Sequence, residues 1–180
     1  MKNLVALLAL LALSMQASQA KIGSGPHPAQ GATASVQALD RKNGFGDATF
    51  GADISTFRNL RPESADAESE TQYYSRTTDN LRIGNLKLTG ISYGFYKNKL
   101  CYIQLRAMGD ENCKAIHDLL TSQYGPGKQP KQTKNEWWHG KQVTMRYAEV
   151  PQGYATIYLA SNDLIDQRMA QQKVTTFRLA

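Results

Sequence analysis

Cysteine and histidine are scarce in this sequence of 180 residues, which contains two cysteines, Cys101 and Cys113, and three histidines. Two cysteines cannot build the dense disulfide network of small secreted scaffolds. A hydrophobic core must therefore stabilise the fold, and a chain of this length can bury one within a single domain. So few Cys and His side chains also lack the spacing of a zinc site, and we expect no metal or other cofactor.

Long hydrophobic runs are absent except near the N-terminus, where Leu4–Leu13 is uninterrupted. A membrane-spanning helix needs about 20 apolar residues, and this run is about half as long. Lys2 before the run and the small residue Ala20 after it are typical of a secretory signal peptide over residues 1–20. No cysteine that could carry a lipid follows before Cys101. We therefore predict a periplasmic or secreted protein that is not membrane-anchored after cleavage.

The motifs of nucleotide and nucleic-acid binding are missing as well. The segment YGPGKQPK, residues 124–131, contains Gly-Lys without the Ser or Thr that completes a phosphate-binding loop. The lysines are scattered, so we expect no nucleic-acid partner. Without residues 1–20, which hold one lysine and no acid, 20 basic side chains face 15 acidic ones, a net charge of +5. This charge favours association with acidic proteins or anionic envelope polymers.

Two segments of the chain interrupt the apolar patterns. Residues 21–41 are rich in Gly, Ser, Ala and Pro, and their composition predicts a flexible leader. Arg61–Glu70, with the sequence RPESADAESE, contains Pro62 and four acids and predicts a solvated loop. Residues 42–180 then form a single domain.

Most of this domain predicts strands joined by tight turns. In YGFYKNKLCYIQL, from Tyr93 to Leu105, the sequence Lys97-Asn98 separates two apolar runs, and Asn tolerates the positive φ of a hairpin turn. DENCKAIHDLLTSQYG, from Asp110, predicts a helix that ends at Gly125. The stretches NEWWHG, KQVTMRYAEV and GYATIYLAS predict three further strands.

These elements predict an α+β fold, an antiparallel sheet of about six strands with two or three helices on one face. The order of one helix and three strands occurs twice, which is consistent with an αβββ duplication.

The helix stop Tyr124-Gly125-Pro126 before a three-stranded meander resembles small exported bacterial modules of the SmpA/OmlA lipoprotein and beta-lactamase-inhibitor type. The resemblance covers Asp110 to Ser161. Those families hold other proteins, so the resemblance implies a binding role. The lipid-bearing cysteine of the lipoproteins has no counterpart here, so membrane tethering does not carry over.

Strand alternation predicts one sheet face without helices. The outward positions are rich in Tyr and Arg, which concentrate binding energy at interfaces. We expect seven candidate binding residues there, the last two as alternatives at the edge: Tyr102, Gln104, Arg146, Tyr154, Tyr158, Trp137 and Trp138. The alternative is that these residues form cross-strand pairs that only stabilise a solvated sheet. The first interpretation predicts a soluble exported binding module without enzymatic activity, which engages an envelope protein or an anionic or glycan polymer.

A competing interpretation is a small hydrolase or thiol-dependent enzyme that uses Cys113 and His117. Residues at i and i+4 share a helix face, and an imidazole can stabilise a thiolate. Cys113 also fits the apolar stripe of its helix, where it would pack in the core. A disulfide between Cys101 and Cys113 is the third possibility, which strand and helix geometry make difficult.

Overall fold

The computed structural model describes residues 30–131, 133, 135–150 and 152–178, with only the backbone for residues 30–35 and 174–178. The predicted signal peptide and residues 21–29 lie outside the described residues. Three α-helices occur in the described part of the chain: α1 (Gln30–Lys42), α2 (Asp110–Tyr124) and α3 (Asn162–Arg178). A short 3-10 helix spans Ile54–Thr56, where the Asp53 side chain accepts a hydrogen bond from the Ser55 backbone N–H.

Within the described residues, eleven strands connect these helices. In chain order they are β1 (Gly44–Phe45), β2 (Ala48–Thr49), β3 (Leu60–Asp66), β4 (Thr71–Arg76), β5 (Arg82–Ile83), β6 (Leu86–Lys87), β7 (Gly90–Tyr96), β8 (Lys99–Met108), β9 (Asn135–His139), β10 (Val143–Val150) and β11 (Tyr154–Ser161).

Seven of the strands form one antiparallel sheet in the order β3-β4-β7-β8-β11-β10-β9. The pairs β1–β2 and β5–β6 form two small hairpins beside it. The predicted α+β class is therefore confirmed, with seven strands in the main sheet where we expected about six. Its centre is the pairing of β8 with β11, which joins the two halves of the chain.

The β7–β8 hairpin turns as the sequence predicts. Lys97 and Asn98 are the two turn residues, with φ angles of 48° and 63°. Two successive positive φ angles match the right-handed twist of the adjoining strands.

A bulge follows this turn and changes the predicted alternation. Leu100 pairs with Phe95 and Tyr102 pairs with Gly94, so Cys101 is the extra residue. Leu100 and Cys101 are both fully buried. Two successive residues are therefore buried, which simple alternation does not predict, because a bulge inserts one unpaired residue.

One side of the sheet, here called the core face, packs against α1 and α2. Its buried side chains form one cluster with Leu39 of α1 and with Cys113 and Ile116 of α2. The sheet contributes Ile91, Tyr93, Phe95, Ile103, Leu105, Met145, Tyr147, Ile157 and Leu159. The opposite side is called the open face.

The third helix lies against the open face, which corrects the expectation that one sheet face has no helices, while α1 and α2 share the core face. Tyr96 points away from the core face, and its hydroxyl donates to Gln171 Oε1 at 2.9 Å. Arg168 Nη1 lies 3.4 Å from Thr71 Oγ1, the hydroxyl of a residue that pairs with Tyr96. The helix therefore covers one end of the open face and leaves the rest uncovered.

This placement also bears on the predicted duplication. The first half of the sheet has four strands before α2 and the second half has three before α3, and the two helices pack on opposite faces. A duplication stays a prediction, and the helices do not repeat the arrangement of the strands.

Two segments differ from their predicted state. The predicted flexible leader is helical from Gln30 onward, and Leu39 is fully buried, so that prediction is wrong for residues 30–41. The predicted loop Arg61–Glu70 is mostly the edge strand β3 and its turn. Pro62 is tolerated there because an edge strand does not need every N–H group for pairing.

Candidate functional site

Six side chains form a continuous row across the open face, here called the aromatic strip. The row crosses β4, β8, β11, β10 and β9, and its members are Tyr73, Tyr102, Tyr158, Arg146, Trp137 and His139. Strand register explains the row, because residues directly opposite one another on paired strands point to the same face. Five of the six side chains are half-buried, and His139 is exposed.

The first part of the strip depends on a glycine. Tyr73, Gly94 and Tyr102 are opposite one another on β4, β7 and β8. A Cβ atom at Gly94 would lie 3.0 Å from both the Tyr73 ring and the Tyr102 Cβ. Because glycine has no side chain, the Tyr73 ring reaches across β7 and meets the Tyr102 ring edge-on, with 6.2 Å between centroids. Burial raises the pKa of Tyr102, and the neighbouring Tyr158 raises it further, so its hydroxyl stays protonated.

The second part of the strip is built around Arg146. Tyr158, Arg146 and Trp137 are opposite one another on β11, β10 and β9. The guanidinium carbon lies 4.2 Å from the Tyr158 ring centroid and 5.2 Å from that of Trp137. His139 then stacks on Trp137 at 5.7 Å, with an angle of 8° between the planes. No ion pair among the described residues involves Arg146, and its guanidinium is in contact with the rings of Tyr158 and Trp137.

A groove of about 850 Å³ separates the strip from α3. Tyr73, Tyr102 and Trp137 line it from the sheet, and Ile165 and Arg168 line it from the helix. Its charged side chains have both signs, namely Lys141, Arg168, Asp66, Glu68 and Asp166. The groove thus combines aromatic rings with polar groups of both signs, as binding clefts do.

The other predicted binding residues have different positions. Gln104 is on the open face next to the strip, opposite Tyr158. Tyr154 is on the same face at the end of the sheet far from α3, where 46% of its surface is exposed beside Met108.

Trp138, by contrast, lies on the core face with 2% of its surface exposed, and its Nε1 donates to the Gly125 carbonyl at 2.9 Å. Trp138 is therefore not a surface residue, because its strand places it opposite the buried Met145.

Sequence reasoning missed three members of the site. Tyr73 is next to Tyr74 in the strand TQYYSR, and because Tyr74 packs against the core, the period of two places Tyr73 on the open face. His139 is two residues from Trp137 and shares its face for the same reason. Arg168 gave no signal in the sequence, because its place in the groove depends on which face α3 covers.

The two candidate catalytic residues have separate partners. The Cys113 thiol donates to the Gly153 carbonyl at 3.4 Å, and burial raises the pKa of the thiol, which disfavours the thiolate. His117 Nε2 lies 2.5 Å from Glu136 Oε2, and Glu136 also accepts the Gly127 N–H. The imidazole is thus engaged by a carboxylate rather than by the thiol. Cys101 and Cys113 are both free and buried, without a disulfide.

A serine spaced as in a nucleophile elbow occurs in Gly90-Ile91-Ser92-Tyr93-Gly94. These five residues lie within the extended strand β7, whereas a nucleophile elbow is a sharp turn between a strand and a helix. Ser92 is buried, and its hydroxyl donates to Glu63 Oε2 at 2.5 Å. The motif is therefore part of a sheet strand, and its serine is not an exposed nucleophile.

Within the part of the chain that the structure describes, no three His, Cys, Asp or Glu side chains converge as a metal site requires. None of the helices described above is both long and apolar enough to cross a membrane. No protein-family model, curated protein or solved structure matches this chain.

Proposed function

We propose that this protein is an exported binding module without enzymatic activity, located in the periplasm or outside the cell. It engages an envelope protein or an anionic envelope polymer through the aromatic strip. The resemblance of residues 110–161 to modules that hold other proteins agrees with this role.

The observation that carries the proposal is the position of Arg146 between two aromatic rings. The two rings hold the guanidinium in place. Arg, Tyr and Trp are the residue types that concentrate binding energy, because they combine a large apolar area with hydrogen-bonding groups. An Arg without an ion-pair partner favours a carboxylate, sulfate or phosphate group.

The groove supports the proposal in a second way. A partner that extends from the strip toward α3 enters a concave surface with an apolar residue, Ile165, and several hydrogen-bonding groups. Concave surfaces bury more of a ligand than flat sheet faces do.

The test compares what the wild type and a strip variant retain from an envelope extract. The variant carries Arg146→Ser and Tyr158→Ser, and both chains are immobilised at equal density. We expect the variant to retain at least ten-fold less protein or polymer than the wild type, because it lacks the Arg146 guanidinium and the Tyr158 ring. Quantitative mass spectrometry and carbohydrate analysis of the eluates measure the loss.

A control variant carries Lys114→Ser and Asp118→Ser, which removes an exposed ion pair on α2. This variant should retain as much as the wild type. Thermal unfolding must show that both variants are folded. Equal retention by the wild type and the folded strip variant would contradict the proposal.

A further inference from the structure

A second concavity lies on the other side of the sheet, between α2 and the core face. It has a volume of about 280 Å³ and is here called the apolar cavity. Four sheet residues form its floor, each with no more than 4% of its surface exposed: Leu105, Met145, Ile157 and Leu159. The cavity therefore reaches into the hydrophobic core.

The walls of the cavity are mostly apolar too, although Gln123 and Tyr124 of α2 also line it. Ile116 and Leu120 line it from α2, Phe45 from the β1–β2 hairpin and Ile83 from the β5–β6 hairpin. Apolar cavities exclude water and accept apolar ligands, because water finds no hydrogen-bonding partners there. The exposed lining residues include Gly46 and Arg82, which belong to the two small hairpins, and they mark the entrance of the cavity.

The charges at this entrance have a single sign. Among the described residues, Lys42 and Arg82 are the charged side chains that line the cavity, and no Asp or Glu of this part of the chain lines it. Both cations are exposed, and neither takes part in an ion pair among the residues that the structure describes. The Lys42 ammonium lies 5.8 Å from the Tyr124 ring centroid, which places it at the end of α2. The groove on the open face differs, since three acids line it.

We propose that the apolar cavity binds an anionic amphiphile of the fatty-acid class. Its alkyl chain lies over Leu105 and Leu159, and its carboxylate lies between Lys42 and Arg82. A methylene takes up about as much room as a water molecule, about 30 Å³, so the cavity accommodates about nine carbons. The site goes beyond the proposed function and does not depend on it, because it lies on the opposite side of the sheet from the aromatic strip.

Calorimetric titration of the protein with decanoate, below the concentration at which it forms micelles, tests the site. We expect saturable binding of one decanoate per chain. Binding should tighten about four-fold for each methylene added from octanoate to decanoate, since each buried methylene contributes a similar amount of hydrophobic free energy. The neutral alcohol 1-decanol should bind at least ten-fold more weakly than decanoate.

Two variants separate the contributions of the charge and of the chain. Lys42→Gln with Arg82→Gln should weaken decanoate binding at least ten-fold and leave 1-decanol binding unchanged. The matched control, Lys114→Gln with Lys128→Gln, removes the same charge away from the cavity and should bind decanoate like the wild type. Leu119→Trp, at the cavity wall, should weaken both ligands by filling the space.

The proposal is overturned if decanoate shows no saturable binding, or if the Lys42→Gln, Arg82→Gln variant binds it as tightly as the wild type. Equal affinity for decanoate and 1-decanol overturns it as well. If Leu119→Trp does not fold, the charge variants decide, because they alter only exposed side chains.

Discussion

The Asp40 carboxylate holds together two parts of the chain that are far apart in sequence. It accepts hydrogen bonds from the backbone N–H groups of Lys141, Gln142 and Val143, at 2.8, 2.9 and 3.0 Å. A carboxylate near the C-terminus of α1 is unfavourable for the helix dipole, so these contacts must outweigh that cost. Gly140 makes room for the arrangement, because a Cβ atom there would lie 2.1 Å from Asp40 Oδ1.

Asp40→Asn should destabilise the protein by about 1–2 kcal/mol at pH 7, because charge-assisted hydrogen bonds become neutral and one acceptor oxygen is lost. Burial alone would raise the pKa of Asp40, but the three N–H donors and the nearby Lys141 lower it below 3.8. A lowered folded-state pKa means that the stabilisation is present above pH 3.8 and is lost as the pH falls through the folded-state pKa.

Urea unfolding at several pH values measures this effect. The difference between wild type and Asp40→Asn should shrink below about pH 4. Asp166→Asn, an exposed carboxylate on α3, serves as the control and should change stability by less than about 0.5 kcal/mol. A difference that stays constant down to pH 2 would show that the Asp40 charge does not act as described.

At the scale of elements, the crossing of Tyr73 over β7 depends on the absence of a side chain at Gly94. Gly94→Ala should destabilise the sheet by about 1–3 kcal/mol, since its Cβ would overlap the Tyr73 ring and crowd Tyr102. Chemical denaturation of Gly94→Ala, of Tyr73→Ala and of the double variant gives the interaction energy. The double variant should be less destabilised than the sum of the single variants. Simple additivity would mean that the ring and the Cβ do not meet.

Long periodic elements were predictable from the sequence, and elements whose stability comes from pairing were not. The hairpin around Asn98 and the helix from Asp110 follow from local turn chemistry and apolar spacing. β3 was not predicted because its residues are almost all exposed and show no apolar alternation. Its pairing with β4 makes it a strand. α1 was not predicted because its Gly, Ala, Ser and Gln content is typical of a flexible segment, although its Leu39 is deeply buried.

The candidate site was predictable to the extent that alternation held. Tyr102, Arg146 and Tyr158 share a face because β10, β11 and the part of β8 after its bulge keep the period of two. Which of Trp137 and Trp138 is outside could not be decided from the sequence, since two adjacent aromatics fit either register. The groove could not be predicted at all, because it depends on α3 crossing to the open face.

At the scale of the whole molecule, stability rests on one core without covalent cross-links. Cys101 and Cys113 are buried as free thiols, and burial raises the pKa of both. We therefore expect neither thiol to react with a disulfide reagent in the folded protein and both to react after unfolding in urea. Mass spectrometry with and without reductant checks the same point. A mass gain of two hydrogens on reduction would reveal a disulfide and contradict the structure.

The Asp40 contact also determines the order in which this protein can complete its fold. The helix that carries Asp40 precedes its docking position at Lys141 by 101 residues. Ribosomes add about 5–20 residues per second, so an interval of about 5–20 s separates the synthesis of α1 from that of its partner. During that interval the core that buries Leu39 is incomplete. The hydrogen bonds of Asp40 on α1 can form only after residues 141–143 have been added.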